Sequence, residues 1–371
     1  MKNMLIKSLP FIIGGIIGIV LGINGIGLEY FEDMVVPILL LIPVLILQLI
    51  SFVISHELSH GFIAEKNGLR FTVLYLGPFT FKRENRKFKR IKGISKQYVF
   101  IGRVQIDNME IINEYDIENS RESWIKAIQA GPLSDLILSI IFIIIAIIFK
   151  SKLLFFSTII VCLLMCIPSY VMGDGKHIKA LKSDKIFTDV ILYTYSISGN
   201  TYVSDESKLF LMDRIIEDLN ENDVTKDNLI SMVLAAQIIY QVALCDGIRN
   251  VPNKLDKIVD MTIENKNLFL KKQIEQTYYK SFINFSIIYE VIINENRQRA
   301  LEIYNYVKDV KHNMPGEMLD FYRVEHILGI NNRKEELLND NLMNPIFKGC
   351  DGIYKMEKKV NEQIIEKSRF I

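Results

Sequence analysis

The chain has 371 residues, with 44 Lys and Arg against 43 Asp and Glu, for a formal net charge of +1 at pH 7. That balance argues against a general nucleic-acid binder, and the length accommodates two units. Apolar residues make up 50% of the chain and crowd toward the N-terminus, which reads as a membrane-embedded part followed by a more polar one. Cys162, Cys166, Cys245 and Cys350 show neither disulfide-framework nor zinc-ribbon spacing. Cys162 and Cys166 can share a helix face, and packing is their expected role.

Lys2 and Lys7 precede an apolar stretch with no small-x-small cleavage site after it, so the start reads as an uncleaved anchor. Leu9 to Leu28 is long enough to span, and Gly14, Gly18 and Gly22 permit close approach of another helix. Val35 to Ala64 is a second span, with Pro37 and Pro43 early and His56-Glu57-Leu58-Ser59-His60 late. Residues four apart share a helix face, so His56 and His60 can aim imidazole nitrogens at one metal ion, and Glu57 is placed to act as general base. Two histidines capping a helix is the competing account. Ionisable groups at membrane depth are costly without partners or a task, which favours the metal.

The loop from Glu29 to Asp33 is acidic, whereas the next carries Lys66, Arg70, Lys82, Arg83, Arg86, Lys87, Lys89, Arg90, Lys92, Lys96 and Arg103. The asymmetry puts the basic loop, both termini and the histidine pair on the cytoplasmic side. Within that loop, Phe71 to Phe81 is rich in β-branched and aromatic residues around a Gly77-Pro78 break, and Gln97 to Ile106 reads as another short strand. A small membrane-associated sheet follows, covering the site or pairing an edge with an extended substrate, with Gly77 and Pro78 as candidate substrate contacts. Its basic charges read as a solvated, lipid-facing surface.

Trp124 to Phe149 and Leu153 to Met172 are the third and fourth spans. A catalytic zinc takes three protein ligands, so the His56–His60 pair is one short. Asp174, in Gly173-Asp174-Gly175, lies at the depth assigned to the histidines, and His177 is the rival further toward water.

These residues resemble the site-2 protease family of intramembrane zinc metalloproteases, which pairs a membrane HExxH with a later span ending in Asp-Gly. The resemblance implies Zn2+ held by His56, His60 and Asp174, with Glu57 as general base and acid. Ala130-Gly131-Pro132-Leu133-Ser134-Asp135 is similar to the family's A-G-P-x-x-N segment, with Asp135 in place of asparagine. Such a carboxylate must be protonated, paired or wet. Where many members have N-x-x-P-x-x-P-L-D-G, the Asn and both Pro positions are Cys166, Ser169 and Met172, and Pro168 is displaced by one. The resemblance covers about residues 1 to 180 and marks a divergent member. It implies hydrolysis of a peptide bond in or beside a membrane-spanning protein or membrane-associated peptide.

Beyond Lys182, Leu229 to Cys245 is apolar but interrupted by Ser231, Gln237 and Gln241, which reads as a buried helix instead of a span. Helical patterns occupy Ser207 to Leu219, Phe269 to Ile293, Ala300 to Val310, Gly316 to Leu328 and Ile353 to Lys367. Ala300 to Tyr304 is similar to the second helix of a tetratricopeptide-type hairpin, although no repeat signature is satisfied. The expected architecture is therefore an α-helical polytopic membrane domain, residues 1–180, with about four transmembrane helices and a small β element. An all-α soluble domain, residues 181–371, follows on the cytoplasmic side and is a candidate site for a regulator. Two other accounts compete with the protease. One is a catalytically inactive scaffold, favoured by the missing asparagine; the other is a metal transporter, disfavoured by a single polar cluster and no repeat.

Overall fold

The computed structural model describes residues 31–91, 102–197, 199, 203–246, 251–271, 273–312, 315–340, 343 and 349–368. It is mostly helical, with one small sheet. Among the described residues, three helical segments are long and apolar enough to cross a membrane: Leu40–Lys66, Glu114–Ile148 and Lys152–Ser183. These correspond to three of the four expected spans; Leu9 to Leu28 lies outside the described residues.

The chain divides into two compact units, residues 1–59 with 129–176, and residues 60–128 with 177–371. The boundaries fall inside continuous helices. Helix α1 (Phe31–Lys66) passes from the first unit to the second between Ser59 and His60, and α2 (Glu114–Ile148) passes back between Ile128 and Gln129.

In the first unit, α1 and α2 meet through the stacked rings of Phe52 and Phe142, 6.1 Å apart. Helix α3 (Lys152–Met172) is joined to α1 by a buried hydrogen bond, 2.8 Å long, from Gln48 Nε2 to Thr158 Oγ1. Polar groups at this depth need such partners because no water competes for them. The exposed faces carry Leu133, Ile137, Ile140, Ile144 and Ile147, the surface a lipid environment would cover. Ser151 caps α3 by accepting from the Leu154 N–H, and Pro168 lies within its last turns. A second helix, α4 (Asp174–Ser183), begins immediately after Gly173.

In the second unit, four antiparallel strands form a sheet in the order β3-β2-β1-β4: β1 (Arg70–Leu76), β2 (Phe79–Glu84), β3 (Lys87–Ile91) and β4 (Arg103–Asp107). Gly77-Pro78 makes the two-residue turn between β1 and β2, and the φ of +54° at Gly77 is the left-handed first position such a turn requires. The run from Phe71 to Phe81 is thus two strands joined at the expected Gly77-Pro78 break. Strand β3, read above as basic loop, exists because Asn85 and Arg86 both take positive φ, +49° and +61°, and reverse the chain. Of the expected strand Gln97 to Ile106, β4 accounts for the last residues, and 97–101 lie outside the described part.

The sheet packs on the turn of α1 just beyond His60. A Cβ on Gly61 would come within 2.3 Å of the Phe71 ring, so only glycine lets β1 approach there. Phe62 and Phe71 meet edge to face at 5.9 Å, Arg83 lies over the Phe62, Phe71 and Phe88 rings, and its guanidinium bonds Glu65 at 2.7 Å.

Every regular element described after α4 is a helix. These begin with α5 (Lys185–Ile197), α6 (Asp205–Glu221), α7 (Leu229–Asp246), α8 (Leu255–Glu264) and α9 (Lys266–Phe269). They continue as α10 (Gln273–Ile292), α11 (Arg297–Val307), α12 (Pro315–Ile327), α13 (Lys334–Leu337) and α14 (Asp351–Ser368). Helix α7 is the apolar segment judged too interrupted to span, and it is a core helix. Leu229, Met232, Val233, Ala236, Ile239 and Leu244 are buried among α5, α6, α8, α10 and α14. Ile106 of β4 and Trp124 of α2 belong to the same core. The Trp124 indole N–H donates to Asn108 Oδ1 at 2.6 Å, and its ring lies 4.3 Å from Tyr195.

Candidate metal centre

The α1 helix brings His56 and His60 to one face on consecutive turns, as their spacing predicts. Both are nearly buried, as is Glu57 between them. The break at Gly173 supplies the third residue: Gly173 N–H reaches the Pro168 and Ser169 carbonyls, ending α3, and Asp174 opens α4. A Cβ on Gly175 would lie 1.8 Å from the Tyr170 carbonyl oxygen, so glycine after Asp174 is what permits this sharp junction. Asp174 does not cap the end of a helix; it starts the next one.

His56 Nε2 lies 3.2 Å from Asp174 Oδ2. One ligand atom from each of His56, His60 and Asp174 falls within 4.8 Å of the others, the one such grouping of three among the described residues. His177 is exposed, with its ring 6.3 Å from Phe187, and is not a member of the grouping.

The donor set fits zinc on three counts. First, two imidazoles and a carboxylate form a recognised catalytic ligand set with an open fourth position. Second, the ring partners select the ligating nitrogens. The Ala127 carbonyl oxygen can only accept, so His60 Nδ1 donates to it at 2.8 Å and Nε2 is the nitrogen with a lone pair to give. His56 Nδ1 likewise donates to Asp135 Oδ2 at 2.8 Å, which turns its Nε2 toward Asp174. Third, two acceptors facing at 3.2 Å need a cation or a proton between them, and nitrogen and oxygen donors on a tetrahedral zinc stand about 3.4 Å apart.

Two supporting residues carried no assigned role in the sequence. Asp135, flagged there as a carboxylate in need of a partner, finds it in His56 and is fully buried. Ser169, standing where the family pattern has a proline, donates its hydroxyl to Asp174 Oδ2 at 2.8 Å. The available signal was polarity itself: Asp135 and Ser169 interrupt apolar spans, and such residues mark sites by default. Cys166, at the asparagine position, has its sulfur 3.7 Å from that of Cys162. Gly77 and Pro78 form the hairpin turn described above and are not part of the metal grouping.

A family model described as Peptidase family M50 matches residues 44–347. The chain belongs to peptidase family M50. This is the site-2 protease family, a class of membrane metalloproteases that are zinc-dependent in general. The match runs well past residue 180, where the motifs that carry the resemblance end, so the M50 model takes in the sheet and much of the helical part. No curated protein and no solved structure matches the chain.

Proposed function

We propose that the chain is an intramembrane zinc metalloprotease, hydrolysing a peptide bond in or next to a membrane-spanning substrate. The observation that carries this reading is the convergence of His56, His60 and Asp174 beside Glu57 in a helix apolar and long enough to cross a membrane. His56, His60 and Asp174 would hold a zinc ion, which would supply Lewis-acid polarisation of a carbonyl oxygen and a more acidic water. Glu57 takes a proton from the attacking water and delivers it to the leaving amine. Asp135 and the Ala127 carbonyl hold the two rings in the ligating tautomer, and Ser169 fixes the Asp174 oxygen that faces His56.

The substrate must be extended, since a helix keeps its carbonyls paired. We place Gly77 and Pro78 among the substrate contacts. Supporting this is the seating of the sheet on α1 through Gly61 and Phe71, directly after the metal-binding turn. Because β1 and β2 are each paired on both sides, strand addition falls to the outer edge of β3 or β4 among the described strands. The domain division at residue 180, the cytoplasmic placement of both termini and a regulator at the helical part belong to the same reading. The basic loop supports the orientation.

Glu57→Gln tests the mechanism. Zinc content stays at the wild-type level while cleavage of a membrane substrate is abolished. Turnover retained in that variant would sink the assignment, and zinc without turnover in the wild type would favour the scaffold.

A further inference from the structure

We infer that Asp135 is a positioning residue for the metal centre, holding His56 with a full negative charge where the family pattern supplies a neutral amide. The inference rests on the zinc reading above. His56 and His60 are oriented by different chemistry. The Nδ1 partner of His60 is a backbone carbonyl, a neutral dipole, whereas the Nδ1 partner of His56 is a carboxylate with no exposed surface, at 2.8 Å. A charge-assisted bond of this kind is roughly twice as strong as a neutral one and makes the opposite ring nitrogen a better donor.

Asp135 is itself fixed in place. It lies on α2 one turn beyond Gly131-Pro132, and its backbone carbonyl accepts from the Ser139 hydroxyl at 2.8 Å. Its Oδ2 bonds His56, and its Oδ1 makes no hydrogen bond despite being buried. A buried carboxylate with one oxygen unsatisfied is costly inside an apolar helix bundle. A purely structural partner for an imidazole N–H would be served as well by asparagine, which brings no charge to bury. The carboxylate therefore has its use at the other end of the ring, where Nε2 meets the metal. The centre of this chain is one negative charge richer than the A-G-P-x-x-N pattern implies. That charge is hydrogen-bonded to the Nδ1 of His56, whereas the Nδ1 of His60 meets a neutral carbonyl, so His56 gains the stronger push at its Nε2.

The test compares wild type with Asp135→Asn and Asp135→Leu, purified as full chains in detergent. Zinc affinity is read by chelator competition and the His56 Nδ1-bound proton by NMR, assigned by its loss in His56→Gln. The expected result is zinc bound about tenfold more weakly in Asp135→Asn and about a hundredfold more weakly in Asp135→Leu. The Nδ1 proton resonance, far downfield in wild type, should move upfield in both. The metal-free proteins should show the same movement, since the bond to Asp135 exists without metal. An unchanged affinity and an unmoved resonance in Asp135→Asn would overturn the inference. This isosteric variant decides alone should Asp135→Leu fail to fold. A wild type that binds no zinc would defeat the protease reading instead, and the resonance comparison would still show whether Asp135 holds the ring.

Discussion

Asp174 Oδ2 is shared between two side chains: it accepts the Ser169 hydroxyl at 2.8 Å and faces His56 Nε2 at 3.2 Å. One oxygen is thus oriented by the last turns of α3 and aimed at a nitrogen of α1, although Asp174 and His56 are more than a hundred residues apart in sequence. The helix break at Gly173, between α3 and α4, is what aims it. A metal centre built this way depends on all three donors and on the backbone junction that delivers the third.

On the proposed zinc reading, removing a donor removes the metal. His56→Ala and Asp174→Ala each leave two protein ligands, too few for a stable catalytic zinc. Metal analysis of detergent-purified protein should give about one zinc per chain in wild type and little in either variant. His177→Ala should retain wild-type content, because the structure groups Asp174 and not His177 with the histidines. Zinc lost in His177→Ala and kept in Asp174→Ala would reverse the assignment.

Gly175→Ala perturbs the centre without touching a donor. The added methyl would sit 1.8 Å from the Tyr170 carbonyl oxygen, a clash with backbone that only a shift of the α3–α4 junction relieves. Displacing Asp174 by about 1 Å should cost roughly a hundredfold in turnover and weaken zinc binding alongside. Helical content by circular dichroism should stay near wild type. Normal activity in Gly175→Ala would mean that the junction does not set the ligand geometry.

Much of this candidate centre's grouping was legible in the sequence because its parts are local or chemically rare. His56 and His60 need only helical spacing, and Asp174 stands out as a carboxylate flanked by glycines at a span's end. The partners were less legible because they are long-range. That Asp135 meets His56 and that Ser169 meets Asp174 depends on how three helices pack, which no periodicity encodes. Strand β3 escaped notice since Lys87-Phe88-Lys89-Arg90-Ile91 reads as solvated charge, and its turn uses Asn85-Arg86 where glycine is the usual signal. The role of α7 followed from its polar interruptions, but its central place in the second unit appears only when five neighbouring helices surround it.

Gly61→Ala probes how firmly the sheet is seated on α1. The methyl would fall 2.3 Å from the Phe71 ring, which also packs against Phe88 at 5.6 Å and lies beneath Arg83. The ring cannot swing away without disturbing both, so overpacking should cost about 1–3 kcal/mol in stability. The pairing with Phe71→Leu provides the check: if steric overlap is the cause, the double variant should recover part of the loss. Additive losses in thermal unfolding would indicate that Gly61 matters for another reason.

His312 gives the helical part a pH dependence whose sign can be worked out. Burial, reinforced by the nearby Lys280 ammonium and opposed by Glu317 and Glu325, pushes its imidazole down to about 4. Both ring nitrogens are buried without a hydrogen-bond partner, and the ring stacks on Phe321 at 4.4 Å. The unfolded chain then binds a proton near pH 6.5 that the folded chain refuses until about 4, so this group's contribution to stability falls as pH drops through that window. His312→Phe keeps the stacking, adds no unsatisfied nitrogen and cannot titrate. Thermal unfolding from pH 7 to pH 4 should therefore show a smaller loss in His312→Phe than in wild type, with a midpoint at pH 7 that is equal or higher. A steeper acid loss in the variant would show that the ring nitrogens are satisfied in solution and that the histidine stabilises the fold in its charged form.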